Sequence, residues 1–340
     1  MAGNPSPSPM QQLMSIAQGH LAAGALKAAL ELEVFTLIAH GVDTAAALAE
    51  AKKAAPRAMR LLCDALVGLG LVQRQGERLS LSQEMDRLLV KGALSYLGGQ
   101  IGINNAPWFW EGAHHLAEIV RSGHPLTAQS AEAAEHPFWE EFERNSRQMA
   151  AANGKALAEL VAEVVDEAAP RRILDIACGS GMYGFALLKR FPDARLVSFD
   201  YANVLRLTEK DAQREGLHQR VEFRPGDLFR DPLGQGYDWV LACNIFQIYG
   251  PRKVVELSRR LYQALEPAGR LLVHGPIPDD ERSHNRPALL FGMNMLIFTQ
   301  EGEVYTLADY RRMLEEAGFH DIELRETAGT RPVQAVLARK

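Results

Sequence analysis

Residues 172–184, Arg-Ile-Leu-Asp-Ile-Ala-Cys-Gly-Ser-Gly-Met-Tyr-Gly, constrain this chain more than any other stretch, because an apolar run breaks there into a glycine loop that opens a helix. Ile173 to Ile176 reads as a buried strand. Gly179 and Gly181 permit positive φ and a close approach to the backbone, and Gly184 lets the following helix pack on the sheet. Such a turn suits a nucleotide-like ligand. The same glycines satisfy G-x-G-x-x-G, a weak signature of dinucleotide binding, so the acids around them decide. Asp175 precedes the loop, Asp200 ends the next strand (195–200), and Gly226-Asp227 ends a third that starts at Val221. Three carboxylates are thus expected at the carboxyl edge of one parallel sheet, where open α/β folds bind ligands. They repel a pyrophosphate and attract a cationic sulfonium and ammonium beside a neutral adenosine. The pattern favours S-adenosylmethionine over a dinucleotide.

Asp175-Ile-Ala-Cys-Gly-Ser-Gly181 resembles the D-x-x-x-G-x-G motif of the class I S-adenosylmethionine-dependent methyltransferases. The resemblance implies a Rossmann-like α/β sheet and S-adenosyl-L-methionine as cofactor, leaving S-adenosyl-L-homocysteine as product. It places the Gly179, Ser180 and Gly181 backbone against the methionine moiety and Asp200, with Tyr201 beside it, on the ribose hydroxyls, and counts Asp175 among the cofactor-binding residues. Gly226 and Asp227 with Leu228 or Phe229 face the adenine, and Cys243, Asn244 and Met149 complete the implied cofactor set.

The 340 residues suffice for two domains, and 47% hydrophobic with 23% charged residues is a globular balance. Cys63, Cys178 and Cys243 are too widely spaced for a disulfide framework or a zinc cluster, so reduced thiols, no metal and a cytoplasmic location are expected. No apolar run reaches the roughly 20 residues of a membrane helix. Met1 to Pro9 lacks the basic and apolar regions of a signal peptide, and residues 1–10 read as a disordered tail.

Residues 11–100 form the first domain, 101–165 a helical linker and 166–340 the sheet domain. Apolar residues at helical spacing run from Leu13 to Leu37, Asp43-Thr44 caps a helix through Lys52, and Pro56 opens another through Gly68 that buries Leu61, Leu62, Ala65 and Leu66. Leu71 to Leu81 alternates about a Gln-Gly turn, which reads as a hairpin. Helix, helix, hairpin is a winged helix. Residues 1–100 nevertheless hold nine basic against eight acidic residues, a poor surface for phosphates. Lys52, Lys53, Arg57 and Arg60 read as a solvated charged face, and no nucleic acid is expected. Nearly the whole chain now resembles small-molecule O-methyltransferases of the caffeate and acetylserotonin type, whose mainly helical winged-helix domain dimerises. That resemblance implies a homodimer.

Trp108 to Pro125 resembles the family's W-x-x-L segment that lines the acceptor pocket, with Trp110 displaced from the usual spacing. Trp108, Phe109 and Trp110 are suited to stacking an aromatic acceptor, and core packing explains them equally well. In the 287–298 segment, a long apolar helix, Phe291, Met295 and Phe298 are pocket candidates and Asn294 is the one polar group able to orient a substrate. The segment from His136 to Met149 resembles the helix leading into the methyltransferase domain. In the sheet domain, a strand over 237–243, a helix over 254–265, a strand over 267–273, a helix over 305–317 and a closing antiparallel pair near 322–324 and 333–337 are expected.

The chain departs from the family after the strand ending at Cys243. Relatives carry L-H-D-W, with the histidine as general base; here Phe246-Gln-Ile-Tyr249 puts Gln247 in its place, and an amide takes no proton at neutral pH. The supporting glutamates are missing too, their positions falling near Gly275 and near Val304 or Tyr305. Three routes stay open. The acceptor binds already ionised, so that catalysis is positioning and desolvation; or His114, His115, His274 or His284 supplies a base; or the methyl goes to carbon or nitrogen, or the cofactor serves a non-methylating reaction. The first is favoured. A winged-helix regulator sensing S-adenosylmethionine is the competing reading outside enzymology.

Overall fold

The structure, a computed structural model, describes residues 7–93, 95–126, 137–165, 169–327 and 333–340, with backbone only over 137–144. It divides into two compact units, residues 1–106 and 107–340.

The first unit contains α1 (Pro9–Ala17), α2 (Gly19–Glu31), α3 (Val34–Ala39), α4 (Ala45–Ala51), α5 (Pro56–Gly68), strands β1 (Gln73–Gln75) and β2 (Arg78–Ser80), α6 (Gln83–Leu89) and α7 (Gly98–Asn104). The apolar run to residue 39 is thus three helices. It starts inside the stretch expected to be a tail, because Ser8 and Gln11 form a capping box and Pro9 sits in the first turn. The expected helix–helix–hairpin order is α4, α5 and the antiparallel pair β1–β2. On α5 the buried face is Met59, Cys63 and Leu66, whereas Leu61 is 45% exposed and Ala65 is also exposed. Both lie off the i, i+4, i+7 stripe that meets the core. Of the basic residues near α5, Lys52 pairs with Glu33 at 2.7 Å, and Arg60 and Arg74 share Asp64 at 2.8 and 2.6 Å.

The second unit runs α8 (Pro107–His114), α9 (Leu116–Ser122), α10 (Pro137–Val164), β3 (Arg172–Ile176), α11 (Met182–Arg190), β4 (Arg195–Asp200), α12 (Ala202–Arg214), β5 (Val221–Pro225), β6 (Tyr237–Cys243), α13 (Pro251–Ala264), β7 (Leu265–His274), α14 (Arg286–Phe298), α15 (Leu307–Glu316), β8 (His320–Glu326) and β9 (Gln334–Arg339). The strands form one seven-stranded sheet in the order β5-β4-β3-β6-β7-β9-β8. β3 to β7 are parallel, and β9 runs antiparallel to both β7 and β8. The last helix begins two residues later than Tyr305, after a Thr306–Asp309 capping box. The strand order reverses between β3 and β6, so the carboxyl ends of those two strands flank the crevice where such sheets bind ligands.

Gly184 is where α11 meets the sheet. A methyl group on it would lie 2.6 Å from a Leu196 methyl and 2.9 Å from Asp175 Oδ2. Gly184→Ala is therefore expected to destabilise the fold by about 1–3 kcal/mol through overpacking, read as a lower urea midpoint at unchanged slope.

Candidate active site

The glycine loop is fastened from three sides. The Asp175 side chain, 1% exposed, accepts the Gly184 N–H at 3.2 Å. Asp175 thereby ties the first turn of α11 to the carboxyl end of β3, beside the loop. The Thr208 hydroxyl, fully buried on α12, donates to the Gly179 carbonyl at 2.5 Å. Asp200 Oδ2 accepts the Gly179 N–H at 2.9 Å, and its Oδ1 accepts the Tyr201 N–H at 2.7 Å. Gly179 and Gly181 both have positive φ, 53° and 75°. Ser180 is buried between them.

Among the described residues no lysine or arginine pairs with Asp200. Burial raises its carboxyl from an ordinary 3.8 to about 6, against the two backbone N–H groups that lower it. Nearby, Asp227 Oδ1 accepts the Phe229 N–H at 2.8 Å. Gly226 donates to the Asp200 carbonyl at 3.0 Å, Leu228 is buried, and the Phe229 ring meets Tyr249 edge-on at 4.9 Å. A half-buried carboxylate with only N–H partners suits a neutral diol, and the acid-rich edge suits a cation. The donor set thus fits an adenosyl sulfonium and would repel a pyrophosphate.

At the end of β6, Asn244 is held at φ 55°, and its amide donates to the Tyr183 hydroxyl at 2.9 Å. Next comes a 3-10 turn, Phe246–Ile248, that carries Gln247, 4% exposed and facing Gly275. The chain after α14 closes over this turn: a methyl group on Gly302 would come within 2.5 Å of the Gln247 carbonyl oxygen. Cys243 is buried, and burial together with Asp175 drives its thiol well above the usual range, which makes it inert.

The histidines do not converge there. His274 is buried, Nδ1 lies 2.7 Å from the Gln334 carbonyl and Nε2 lies 3.5 Å from the Asn153 amide. Its Nδ1 is the donor, and burial lowers its pKa against the pull of that carbonyl, so it is neutral and engaged on both sides. His284 is exposed beside Ser283 and Asp279. His114 is exposed at the end of α8; His115, its ring edge-on at 5.0 Å, lies 3.6 Å from Glu118.

Trp108, Phe109 and Trp110 lie within α8 and do not precede it. Phe109 packs on Phe298 of α14 at 5.8 Å, whereas Trp110 is 37% exposed. Met295 is buried, and Phe291 and Asn294 are half-buried. Met149 is 37% exposed on α10, and His136 lies outside the described residues. Sequence reading missed Thr208, Tyr183 and Asn153. Thr208 had a signal, a polar residue on the face of α12 that also carries Val204 and Leu205; the other two show only in three dimensions.

Residues 114–320 match the O-methyltransferase domain family and residues 14–90 the O-methyltransferase dimerisation domain. The tetracenomycin polyketide synthesis 8-O-methyl transferase TcmO of Streptomyces glaucescens is 30% identical over 330 residues, covering 96% of each chain. Acetylserotonin O-methyltransferase of Mus musculus is 29% identical, covering 96% of this chain and 88% of its own. A solved structure from Nostoc punctiforme, described as an O-methyltransferase, superposes with a TM-score of 0.91 at 30% identity, covering 98% of this chain and all of its own. The chain belongs to the O-methyltransferase family, enzymes dependent on S-adenosylmethionine, and carries that family's dimerisation domain.

The Asp200 carboxyl gives a stability signature. Folded, it holds a proton to about pH 6, whereas the unfolded chain releases it near 3.8. Between those values the native state binds more protons, so this group's contribution falls as pH rises through the window and is constant above it. The stability of wild type relative to Asp200→Asn is expected to decline from about pH 4 to 6 and then level off, measured by urea unfolding at stepped pH.

Proposed function

We propose that the chain transfers a methyl group from S-adenosyl-L-methionine to a hydroxyl of a small aromatic or conjugated molecule of specialised metabolism, without an enzyme base. The observation that carries this reading is a buried glutamine, Gln247, beside the crevice, with His274 neutral and engaged elsewhere. A relative named for polyketide O-methylation and another named for acetylserotonin support a small hydroxyl acceptor. The apolar wall of Phe109, Phe298 and Met295 supports an aromatic one.

In this reading Asp200 accepts the ribose hydroxyls, its protein partners being N–H donors that leave oxygen lone pairs free. Leu228 and Phe229 flank the adenine, and the loop from Gly179 to Gly181 lies against the methionine moiety. Bound S-adenosylmethionine supplies an electrophilic methyl on a sulfonium. The protein holds the acceptor oxygen in line with it and excludes water, which is the larger share of the barrier where no proton has to be moved. Met10, Leu13, Met14, Ile16 and Leu21 are 48–69% exposed, and we assign this apolar face of α1 and α2 to contact with a second copy. Three buried free thiols agree with a cytoplasmic location.

Incubating a producing-cell extract with methyl-deuterated S-adenosylmethionine is expected to yield a labelled small molecule with the wild type. Asp200→Ala is expected to yield none and to weaken cofactor binding at least tenfold by calorimetry. Binding without any labelled product would replace this reading with a non-methylating one. For the dimer, Leu13→Asp with Ile16→Asp is expected to shift sedimentation from dimer to monomer.

A further inference from the structure

The side-chain oxygen of Gln247, Oε1, is shut from solvent and has no hydrogen-bond partner among the described residues. It is turned onto Gly275, where a methyl group would lie 3.2 Å from Oε1 and 3.8 Å from Cδ. A buried amide oxygen left unpaired is costly, and a native structure keeping one calls for an explanation in function. With the oxygen inward, the NH2 end of the amide is the part left to meet a ligand. We propose that Gln247 is a catalytic hydrogen-bond donor: its N–H binds the acceptor oxygen as an anion, so that the enzyme takes phenols and other acidic hydroxyls in ionised form.

The inference rests on the methyltransferase reading and deepens it by naming the substrate class. A neutral amide exchanges no proton and contributes through its dipole alone. Aimed at a phenolate in a site shielded from water, it favours the anion over the neutral phenol and lowers the acceptor's pKa. The phenol's proton leaves to water on binding. The oxygen lone pair then forms the O–C bond while the C–S bond breaks and its electron pair stays with sulfur, so no enzyme base is called on. Gly275 is the complement of this arrangement, because a side chain there would push Oε1 toward the acceptor.

The titratable groups around this turn are Tyr183, reached through Asn244; His274, next to Gly275; Tyr249; and Glu301 and Glu303 on the closing segment. None hydrogen-bonds the Gln247 side chain, and all are shared by wild type and variants, so a comparison between them isolates the amide.

The test is an absorbance titration of 4-nitrophenol bound to protein saturated with S-adenosylhomocysteine, which needs no turnover. The bound phenol is expected to titrate roughly one unit below the free one, a tenfold gain in ionisation. Gln247→Leu should erase the shift, Gln247→Glu should reverse its sign, and Gly275→Ala should diminish it, with thermal melts verifying that each variant folds. Equal values in wild type and Gln247→Leu, a raised value in wild type, or no bound nitrophenolate while calorimetry registers S-adenosylhomocysteine would overturn the proposal. Failure to bind S-adenosylhomocysteine at all would take down the methyltransferase reading and the proposal with it.

Discussion

Everything at the crevice depends on one loop, Gly179–Gly181, being held in a conformation that ordinary side chains resist. Two glycines at positive φ lower the local cost. The rest comes from buried polar contacts: the Gly179 N–H goes to Asp200, its carbonyl to Thr208, and the helix behind it is tied to Asp175. These bonds lie largely out of water, where losing one partner leaves the other unsatisfied. The loop is therefore fixed by the same groups that define the ligand edge, and a change at Thr208 or Asp175 would reach the crevice through it.

That economy explains why two acids that look alike in sequence serve differently. Asp175 and Asp200 both belong to strands of one parallel sheet. Asp175 lies within its strand, and its carboxylate accepts the Gly184 N–H in the first turn of α11. Asp200 is the last residue of its strand, so its side chain reaches the crevice with lone pairs to spare. The register sets Asp175 against Ser198, two residues before Asp200, so both acids project from the same face of the sheet and only their position along the strand separates their partners.

Most of the architecture was legible because it is written in local terms. The strand over 237–243 and the helix–helix–hairpin order follow from period and turn residues. What sequence could not give was the partner of a side chain. Leu61 sits in an apolar helix yet faces away from the core, since the stripe that packs is Met59, Cys63 and Leu66. His274 follows an apolar strand and reads as a free titratable group until the Gln334 carbonyl and Asn153 on distant elements claim both ring nitrogens. Gln247 was visible as an absent histidine, but the direction of its amide depends on Gly275, 28 residues on.

Under the proposed function, an amide in place of a base changes what the enzyme can select. A histidine removes the acceptor's proton itself, so a weakly acidic hydroxyl is within its reach. A site with a donor and no base leaves that work to the acceptor's own acidity, and its rate follows the fraction ionised in the crevice. Under the proposed function, selectivity rests on two properties of the molecule that enters: a flat apolar body for the wall of Phe109 and Phe298, and an oxygen acidic enough to arrive as an anion. A closed turn serves such a site better than an open one, because each water excluded strengthens the amide dipole felt by the oxygen. The segment that folds over Gln247 through Gly302 is consistent with that demand: its backbone lies against the turn so closely that no side chain fits between them.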